Sequence, residues 1–386
     1  MVEKSSLKSP DPFEEIRPYS NREAPEVLNR LSRDPEFASI VAAWRFSVLS
    51  RYWSGLAKLL TKFWLWWNLR RLSSVEDLQN LIAPKLARMI EKTSKFSVSG
   101  LQKFDLRHVR LYLSNHRDIV MDPAYANYAL HRAGSRTLAI AIGDNLLSKP
   151  WVADLMRLNK SFVVKRKVSG PRALLYSSKL LARFIRQSVG QNIDPIWIAH
   201  RDGRAKDGKD QTDPAVIKML VMARDRNETP EEVLNCLNIV PLVISYELDP
   251  CDYLKAAELA AGEGYTKTES EDVASIAIGI TGQKGCVHLH FGDLLSEDLN
   301  VEGVVRAIDE QMRTYYRLFR TNVWAWEWLN QRKIPTDIEY HTGSVSESVF
   351  RARIDAAPTG HRDWMLRMYA NPVNQILEPT RITEDF

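Results

Sequence analysis

The stretch LYLSNHRDIVMDP, Leu111–Pro123, places a histidine where a predicted strand gives way to a predicted helix. It starts as an apolar run suited to a strand and breaks at a Ser-Asn pair, residue types that favour turns and helix N-caps. His116 follows the break, and two carboxylates, Asp118 and Asp122, come within the next two turns. This arrangement predicts a general base held by an acid partner. The alternative is a set of ordinary surface residues, which is what most neighbouring His and Asp side chains are.

The composition of the 386-residue chain, 45% hydrophobic and 26% charged, is that of a folded globular protein. A net charge of +5 indicates mild attraction to anionic partners and is too small to predict nucleic acid as a partner. The three cysteines, Cys236, Cys251 and Cys286, are widely spaced and show no metal-ligand pattern. We therefore expect no metal site and a reducing cytosol. Residues 1–20 contain no apolar core segment, so no signal peptide is predicted.

The segment WSGLAKLLTKFWLWWNLRRL, residues 53–72, is the most membrane-like part of the chain. Lysines interrupt it, and no uncharged apolar run reaches the roughly 18 residues of a spanning helix. One interpretation is a basic amphipathic helix in the membrane interface, with its lysines and arginines near lipid phosphates. The other is a core helix with a wide apolar face. The first predicts a peripheral protein at the cytoplasmic face of a membrane, with no clear transmembrane helix.

Strand and helix signals alternate from about residue 100 onward. They predict an α/β fold with a mostly parallel sheet flanked by helices, preceded by N-terminal amphipathic helices. We expect an N-terminal helical, membrane-interface region (1–95), an α/β domain (96–330) and a loosely attached C-terminal tail (331–386). Residues 301–328 are expected to form one long helix. The predicted strands are Val109–Leu113, Thr137–Ile142, Ser161–Lys165, Pro195–Ala199, Ile239–Tyr246 and Gly285–Phe291.

Basic residues follow two of these strands, in SFVVKRKVSGP (161–171) and IWIAHRDGRAKDGKD (196–210). Arginine has forked donors that match phosphate oxygens, and glycine lets backbone N–H groups approach an anion. In an α/β fold such strand ends form the binding edge of the sheet, so the two stretches predict a phosphate site. The alternative is solvated surface charge. No GxxxxGK[ST], GxGxxG or GxSxG motif occurs, which disfavours nucleotide sites and serine hydrolases.

Four blocks of the sequence resemble those of one enzyme family. NHRDIVMD resembles the NHx4D block of the glycerolipid acyltransferases, the glycerol-3-phosphate and lysophosphatidic acid acyltransferase superfamily. SFVVKR looks like the second block of that family, RDGRAKDG is similar to the third (EGxRSRxG), and IVPLVISYE is similar to the fourth. Four blocks in order, each at a predicted strand end, are far more specific than one. They span residues 111–247, and the surrounding α/β pattern extends the likeness to residues 96–330.

The resemblance implies transfer of a fatty acyl group from acyl-CoA or acyl carrier protein to a glycerol phosphate hydroxyl in phospholipid synthesis. It makes His116 the general base that takes the proton from that hydroxyl, since imidazole has an ordinary pKa near neutrality. An aspartate would orient the ring and stabilise the imidazolium. No cofactor and no metal are implied. The residues implied to hold the substrate phosphate are Arg166, Arg204 and Lys206, with Asp202 and Gly203 at the Glu-Gly positions of the family.

The sequence departs from the family pattern at two points. The aspartate of the family comes five positions after the histidine, where this chain has Met121. Asp122 lies one position later, and Asp118 only two after His116, so either acid is a candidate partner. We favour Asp122, because a helical turn after the histidine keeps it near the ring. The third block has Asp202 in place of glutamate and is one residue shorter, which leaves open whether this residue only orients a neighbouring arginine.

Two acceptors remain open, glycerol-3-phosphate and 1-acylglycerol-3-phosphate. The HRD sequence in the first block and the YE at the end of the fourth block favour glycerol-3-phosphate. The compact chain favours 1-acylglycerol-3-phosphate. The expected partners are the acyl donor, the acceptor and a membrane surface. A function of a different class is a non-catalytic membrane-surface protein that binds anionic lipids with the same basic strand ends. Loss of acyl transfer in His116→Ala, with folding and membrane binding retained, would separate the two.

Overall fold

A computed structural model describes residues 11–45, 54–166, 168–262, 265 and 269–378. The helices are α1 (Ala24–Arg33), α2 (Pro35–Arg45), α3 (Ser54–Leu69), α4 (Val75–Thr93), α5 (Met121–Arg132), α6 (Pro150–Leu158), α7 (Pro171–Gly190), α8 (Pro214–Val221), α9 (Pro230–Cys236), α10 (Asp252–Ala261), α11 (Glu269–Thr281), α12 (Val301–Tyr315), α13 (Arg320–Asn330), α14 (Glu347–Asp355) and α15 (Thr359–Leu377). The strands are β1 (Ser94–Ser99), β2 (Leu111–Ser114), β3 (Ala139–Gly143), β4 (Ser161–Val164), β5 (Ile196–Ala199), β6 (Ile239–Tyr246) and β7 (Gly285–Phe291).

The chain divides into two compact units. The first contains the described residues of Met1–Ala83 and Ala139–Phe184, and the second those of Pro84–Leu138 and Ile185–Phe386. The regions expected from the sequence, 1–95, 96–330 and 331–386, remain a prediction. Residue 53 of the membrane-like segment and residues 379–386 of the predicted tail lie outside the described residues.

The first unit combines a pair of parallel strands with the N-terminal helices. β3 pairs with β4, with Ile140 opposite Ser161. Helices α1, α3 and α6 contribute Leu28, Leu65 and Leu158 to one buried cluster. α3 therefore packs one face against protein, as the core interpretation of this segment predicts. No helix among the described residues is both long and apolar enough to cross a bilayer.

The second unit contains five strands in the order β1-β7-β6-β2-β5. β2 pairs in parallel with β5 on one side and with β6 on the other, and β1 pairs in parallel with β7. The β6–β7 pair is antiparallel. Every residue of β2 and β6 is buried, which is why both read as continuous apolar runs. The mostly parallel α/β fold expected from the sequence is confirmed, and it places His116 just beyond the carboxyl end of β2.

Two elements differ from the expectation. Ser94–Ser99, which is not among the predicted strands, forms β1, because its polar sequence pairs with β7 through the backbone at an edge of this sheet. The single long helix expected over residues 301–328 is wrong, since α12 ends at Tyr315 and α13 begins at Arg320. Between them the backbone N–H of Phe319 donates to Asn322 Oδ1 at 2.8 Å, which starts the second helix. No glycine or proline marks the break, so the sequence pattern hides it.

The expectation of a loosely attached C-terminal tail is also wrong for the part of it that the structure describes. α14 and α15 pack with α13 around a buried cluster that contains Trp326, Phe350 and Val373. The indole N–H of Trp326 donates to Asn374 Oδ1 at 2.7 Å. The sequence of this region is polar and punctuated by prolines, but its apolar residues recur at helical spacing and bury one face of each helix.

Candidate active site

The residues between β2 and α5 form a turn that is tied to the neighbouring strand β6. The side-chain amide of Asn115 donates to the carbonyl of Ile244 at 3.0 Å and accepts the N–H of the same residue at 2.8 Å. Asn115 is fully buried. This pair of hydrogen bonds fixes the backbone directly before His116, so the histidine leaves the sheet in a defined direction.

His116 is hydrogen-bonded to Asp122. Nδ1 of the ring lies 2.9 Å from Asp122 Oδ2, with the histidine side chain 15% exposed and the aspartate 1% exposed. The edge of the ring meets Trp197 at a centroid distance of 5.5 Å. An ionised carboxylate only accepts hydrogen bonds, so the hydrogen belongs on Nδ1 and Nε2 keeps its lone pair. Nε2 is then the nitrogen available to take a proton.

Asp122 is held by three further donors. Its Oδ2 accepts the backbone N–H groups of Arg117 at 2.6 Å and Asp118 at 2.9 Å. Its Oδ1 accepts the hydroxyl of Tyr246 at 2.7 Å. Burial first, and the charge of Asp122 second, raise the pKa of Tyr246 well above its ordinary value, so this hydroxyl keeps its proton and donates. The turn thus wraps around the carboxylate, which also lies in the first turn of α5, where the helix dipole favours negative charge.

Asp118 has a different role in the fold. Its Oδ1 accepts the backbone N–H groups of Val120 at 3.0 Å and Met121 at 2.8 Å, at the start of α5. Burial, and next the charge of Asp122, raise the pKa of this carboxyl. It packs against Gly279 of α11, where an added Cβ would lie 2.2 Å from Asp118 Oδ2. In this structure Asp122 accepts the hydrogen bond of His116, and Asp118 caps the helix.

A buried ion pair lies directly behind the histidine. Arg117 Nη2 lies 2.6 Å from Asp210 Oδ2 and 3.0 Å from the carbonyl of Gly208. Burial, the largest single influence, lowers the pKa of Arg117, but the charge of Asp210, the neighbouring Tyr316 and the hydrogen bond to Asp210 together outweigh it, and the net shift is upward. Asn115 Nδ2 also donates to Asp210 Oδ2, at 2.9 Å. The two residues that flank His116 are therefore both bonded to one carboxylate of the basic loop, residues 201–210.

The basic loop returns to the histidine through its backbone. The N–H of Ala205 donates to the carbonyl of His116 at 2.8 Å. This bond brings the neighbouring Arg204 and Lys206 close to the turn. Arg204 is half-buried, and its Nη1 is buried without a hydrogen-bond partner among the described residues. Lys206 forms an ion pair with Glu258 of α10.

The remaining predicted phosphate ligands lie in different surroundings. Gly203 has a φ of +72°, which favours glycine, and leads the chain through the basic loop. Asp202 is exposed on the same loop. Arg166 belongs to the first unit, where it is exposed after β4 and its backbone N–H donates to Asp144 Oδ1 at 3.2 Å. Within the second unit, then, the structure brings together His116, Asp122 and the basic loop.

Three further histidines, His200, His288 and His290, are hydrogen-bonded to hydroxyl groups of the protein. His288 lies between the hydroxyls of Ser97 and Ser99, each 2.8 Å from a ring nitrogen, and Ser99 also bonds His290 at 2.7 Å. His200 is fully buried, and burial lowers its pKa to about 4. The part of the chain that the structure describes holds no group of three His, Cys, Asp or Glu residues placed to bind a metal ion.

Comparison with known proteins bears on the same stretch of chain. A family model described as Acyltransferase matches residues 95–198, which contain His116 and Asp122. Residues 95–198 are thus similar to an acyltransferase domain. The matched range covers the first two of the four sequence blocks, and the resemblance to the glycerolipid acyltransferases drawn from these motifs is confirmed.

Among solved structures, the chain is similar to the 1-acyl-sn-glycerophosphate (LPA) acyltransferase PlsC from Thermotoga maritima. The two share 13% identity with a TM-score of 0.38, over 78% of this chain and 100% of the other. No curated protein matches the sequence.

Sequence reasoning missed one contact of the site, the hydroxyl of Tyr246 on Asp122. The signal was present, because Tyr246 ends the predicted strand Ile239–Tyr246. Its neighbour Glu247 has a structural role. The Glu247 carboxylate accepts N–H groups from Cys286, Ser344 and Val345, each at 2.7 Å, and so ties β6 to β7 and to the chain before α14.

Proposed function

We propose that this acyltransferase moves a fatty acyl group from acyl-CoA or acyl carrier protein to a hydroxyl of glycerol-3-phosphate or 1-acylglycerol-3-phosphate. The observation that carries the proposal is the His116–Asp122 pair, which leaves Nε2 of a partly exposed imidazole as the proton acceptor. The pair lies inside the segment that matches the acyltransferase family. The motif order of the glycerolipid branch supports the choice of acceptor class.

The proposed reaction follows from the protonation state of the pair. Nε2 of His116 removes the proton of the acceptor hydroxyl while its oxygen attacks the thioester carbon of the donor. Asp122 stabilises the imidazolium that forms, as the aspartate of a catalytic triad does. The tetrahedral intermediate then collapses, the C–S bond breaks, and the proton on Nε2 passes to the departing thiolate. The products are the acyl ester and the free thiol of the carrier, and no covalent enzyme intermediate forms.

The basic loop supports a phosphate-bearing acceptor. The unpaired, buried Nη1 of Arg204 has a donor to offer an anion, and burying such a group without a partner costs free energy that a bound phosphate would recover. The Ala205–His116 backbone bond fixes the distance between this loop and the base. Lys206 can bind a phosphate only if its ammonium group contacts Glu258 and the phosphate together, or if its ion pair with Glu258 breaks. Arg166 lies in the first unit, and its part in phosphate binding stays a prediction from the sequence.

The surface of α3 supports a membrane-associated enzyme. Phe63 is 62% exposed, and Trp66 and Trp67 are 40% exposed each, although the opposite face of the helix is buried. The guanidinium of Arg70 lies 3.9 Å from the Trp66 ring centroid, and that of Arg71 lies 3.9 Å from the Trp67 ring centroid. Exposed tryptophans stacked with arginine guanidinium groups are typical of side chains that bind in the headgroup layer of an anionic bilayer. We propose a peripheral location at the cytoplasmic face of the membrane.

An acyl-transfer assay with purified protein tests this function against the non-catalytic alternative. Both acceptors are offered with both donors, in the presence of vesicles that contain phosphatidylglycerol. The proposal expects ester formation with at least one pair and its loss in His116→Ala, with vesicle binding unchanged. Vesicle binding without transfer in any of the four combinations would favour the lipid-binding protein instead.

A further inference from the structure

Helix α15 lies against the basic loop through residues on one of its faces. Met368, Asn371 and Gln375 are spaced three and four residues apart, which places them on one side of the helix. The loop residue Gly208, with a φ of +80°, approaches so closely that an added Cβ would lie 2.0 Å from the carbonyl oxygen of Met368. The amide of Asn371 donates to the carbonyl of Asp207 at 2.7 Å.

Gln375 makes the most specific of these contacts. Its Oε1 accepts the backbone N–H of Asp210 at 2.9 Å, and its Nε2 donates to the Asp210 carbonyl at 2.6 Å. Both backbone groups of one buried residue are thus held by one side chain. The carboxylate of this residue in turn bonds Arg117 and Asn115, the two neighbours of His116 in sequence. A continuous set of hydrogen bonds leads from α15 to the turn that carries the base.

α15 is itself firmly fixed. It lies in the buried cluster of the C-terminal helices, and the amide of Asn322 on α13 donates to the carbonyl of Tyr369 at 2.8 Å. The hydroxyl of Tyr369 donates to Asp252 at 2.7 Å, at the start of α10. Lys255, also on α10, donates to the carbonyl of Arg117 at 2.7 Å. α15 is therefore also linked through α10 to the turn that carries His116.

We infer that α15, which lies outside both the matched family segment and the four sequence blocks, positions the catalytic histidine through the segment Asp207–Asp210. Asn371 and Gln375 are positioning residues for the reaction. Gln375 acts on the turn around His116 through Asp210, and Asn371 acts on the part of the loop that carries Arg204. The inference rests on the proposed function for its kinetic consequences, and its structural part holds without substrate.

The test replaces Gln375 by Met, which keeps the volume and removes both hydrogen bonds, and Asn371 by Ala. Arg367→Ala is the matched control, because this exposed residue on the same helix pairs with Asp363 one turn away and, among the described residues, forms no hydrogen bond or ion pair with the basic loop. A net hydrogen bond corresponds to roughly 2- to 10-fold in an equilibrium, so kcat of Gln375→Met should fall about tenfold. The acceptor KM of Gln375→Met should change by less than about threefold. Asn371→Ala should lower kcat and raise the acceptor KM by similar factors.

Hydrogen exchange measured by mass spectrometry gives the readout that needs no substrate. The amide hydrogens of Arg117 and Asp118, which donate to Asp122, should exchange faster in Gln375→Met and Asn371→Ala while the urea midpoint stays within error. If Gln375→Met lowers the urea midpoint, Asn371→Ala decides alone, since it loses one hydrogen bond to the loop, at Asp207, and one within α15, from Asn374. Wild-type exchange and kinetics in both variants would overturn the inference. Faster exchange in a protein with no acyl transfer at all would sustain the inference and refute the proposed function.

Discussion

The exchange of Asp122 for Asn, set beside the same exchange at Asp118, tests which acid serves the histidine. Three donors converge on Asp122 Oδ2: the ring of His116 and the backbone N–H groups of Arg117 and Asp118. An asparagine must therefore place its carbonyl oxygen there, because its NH₂ group would meet two N–H donors that cannot turn away. Its NH₂ group then faces Tyr246, whose hydroxyl can rotate to accept. The tautomer of His116 is retained, and the change removes the charge alone.

The size of the expected loss of kcat follows from the distance between the imidazolium of His116 and the carboxylate of Asp122. With 2.9 Å between Nδ1 and Oδ2, and an effective dielectric constant of about 20, the attraction between imidazolium and carboxylate is about 4 to 6 kcal/mol at most. The hydrogen bond that the amide oxygen keeps returns part of this, so we expect a net loss of about 3 to 4 kcal/mol, or a kcat lower by about 10² to 10³. In a catalytic triad, where the replacement of aspartate by asparagine also reverses the tautomer of the histidine, kcat falls by about 10⁴.

Asp118→Asn is the matched control. Its carboxylate caps α5 through two backbone N–H groups, and asparagine caps a helix about as well as aspartate. Because burial raises the pKa of Asp118, the folded state binds its proton more tightly than the unfolded chain, and ionising it costs stability as pH rises. A neutral amide avoids that cost. We expect kcat within about threefold of wild type and an equal or higher free energy of unfolding at pH 7.

Steady-state transfer rates at saturating acceptor, with urea unfolding on the same preparations, measure both variants. A larger loss of kcat in Asp118→Asn than in Asp122→Asn would refute the assignment of Asp122. A loss near 10⁴ in Asp122→Asn would show that the backbone donors do not hold the amide in the orientation described.

Three further predictions address the basic loop, the buried histidines and the membrane face. Arg204→Ala should raise the acceptor KM by about 10- to 100-fold with a smaller effect on kcat, since a charge-assisted hydrogen bond is worth about 1.5 to 3 kcal/mol; an unchanged KM would remove it from the phosphate site. Burial lowers the pKa of His288 to about 3, so from about pH 6.5 downward the unfolded chain binds a proton that the folded one does not, and stability falls with pH. His288→Gln should therefore reduce the loss of unfolding free energy between pH 7 and pH 5 by about 2 kcal/mol in total; an unaltered pH dependence would contradict this. Trp66→Ser with Trp67→Ser should weaken binding to vesicles rich in phosphatidylglycerol and leave kcat on a water-soluble acceptor unchanged, and equal binding by wild type and variant would argue against α3 as the contact.

The sheet was predictable because its central strands are buried on both faces and read as short apolar runs. β6 has the bounds expected from its sequence, Ile239–Tyr246. β1 escaped notice because an edge strand is stabilised by backbone pairing, here with β7, and needs no apolar pattern. The break between α12 and α13 escaped for a related reason, since a side-chain cap from Asn322 marks it where a glycine or proline would have been visible.

The site was predictable to the level of residue types and strand ends. His116 and the basic loop follow from the rule that strand ends carry the chemistry of α/β folds. The choice between Asp118 and Asp122 depended on the shape of a turn that has one residue more than the family pattern. Backbone N–H groups of this turn donate to Asp122 and so bring that carboxylate to His116. The contact of Tyr246, 124 positions away in sequence, and those of Gln375 depend on tertiary packing. No local pattern encodes them.

The most direct test of the proposed chemistry is the rate of acyl transfer by wild type and His116→Ala, with each acceptor and each donor class. The account predicts transfer by wild type and a loss of at least about 10² in His116→Ala, the range of a general base, with the urea midpoint and vesicle binding retained. Transfer by His116→Ala at the wild-type rate would contradict it.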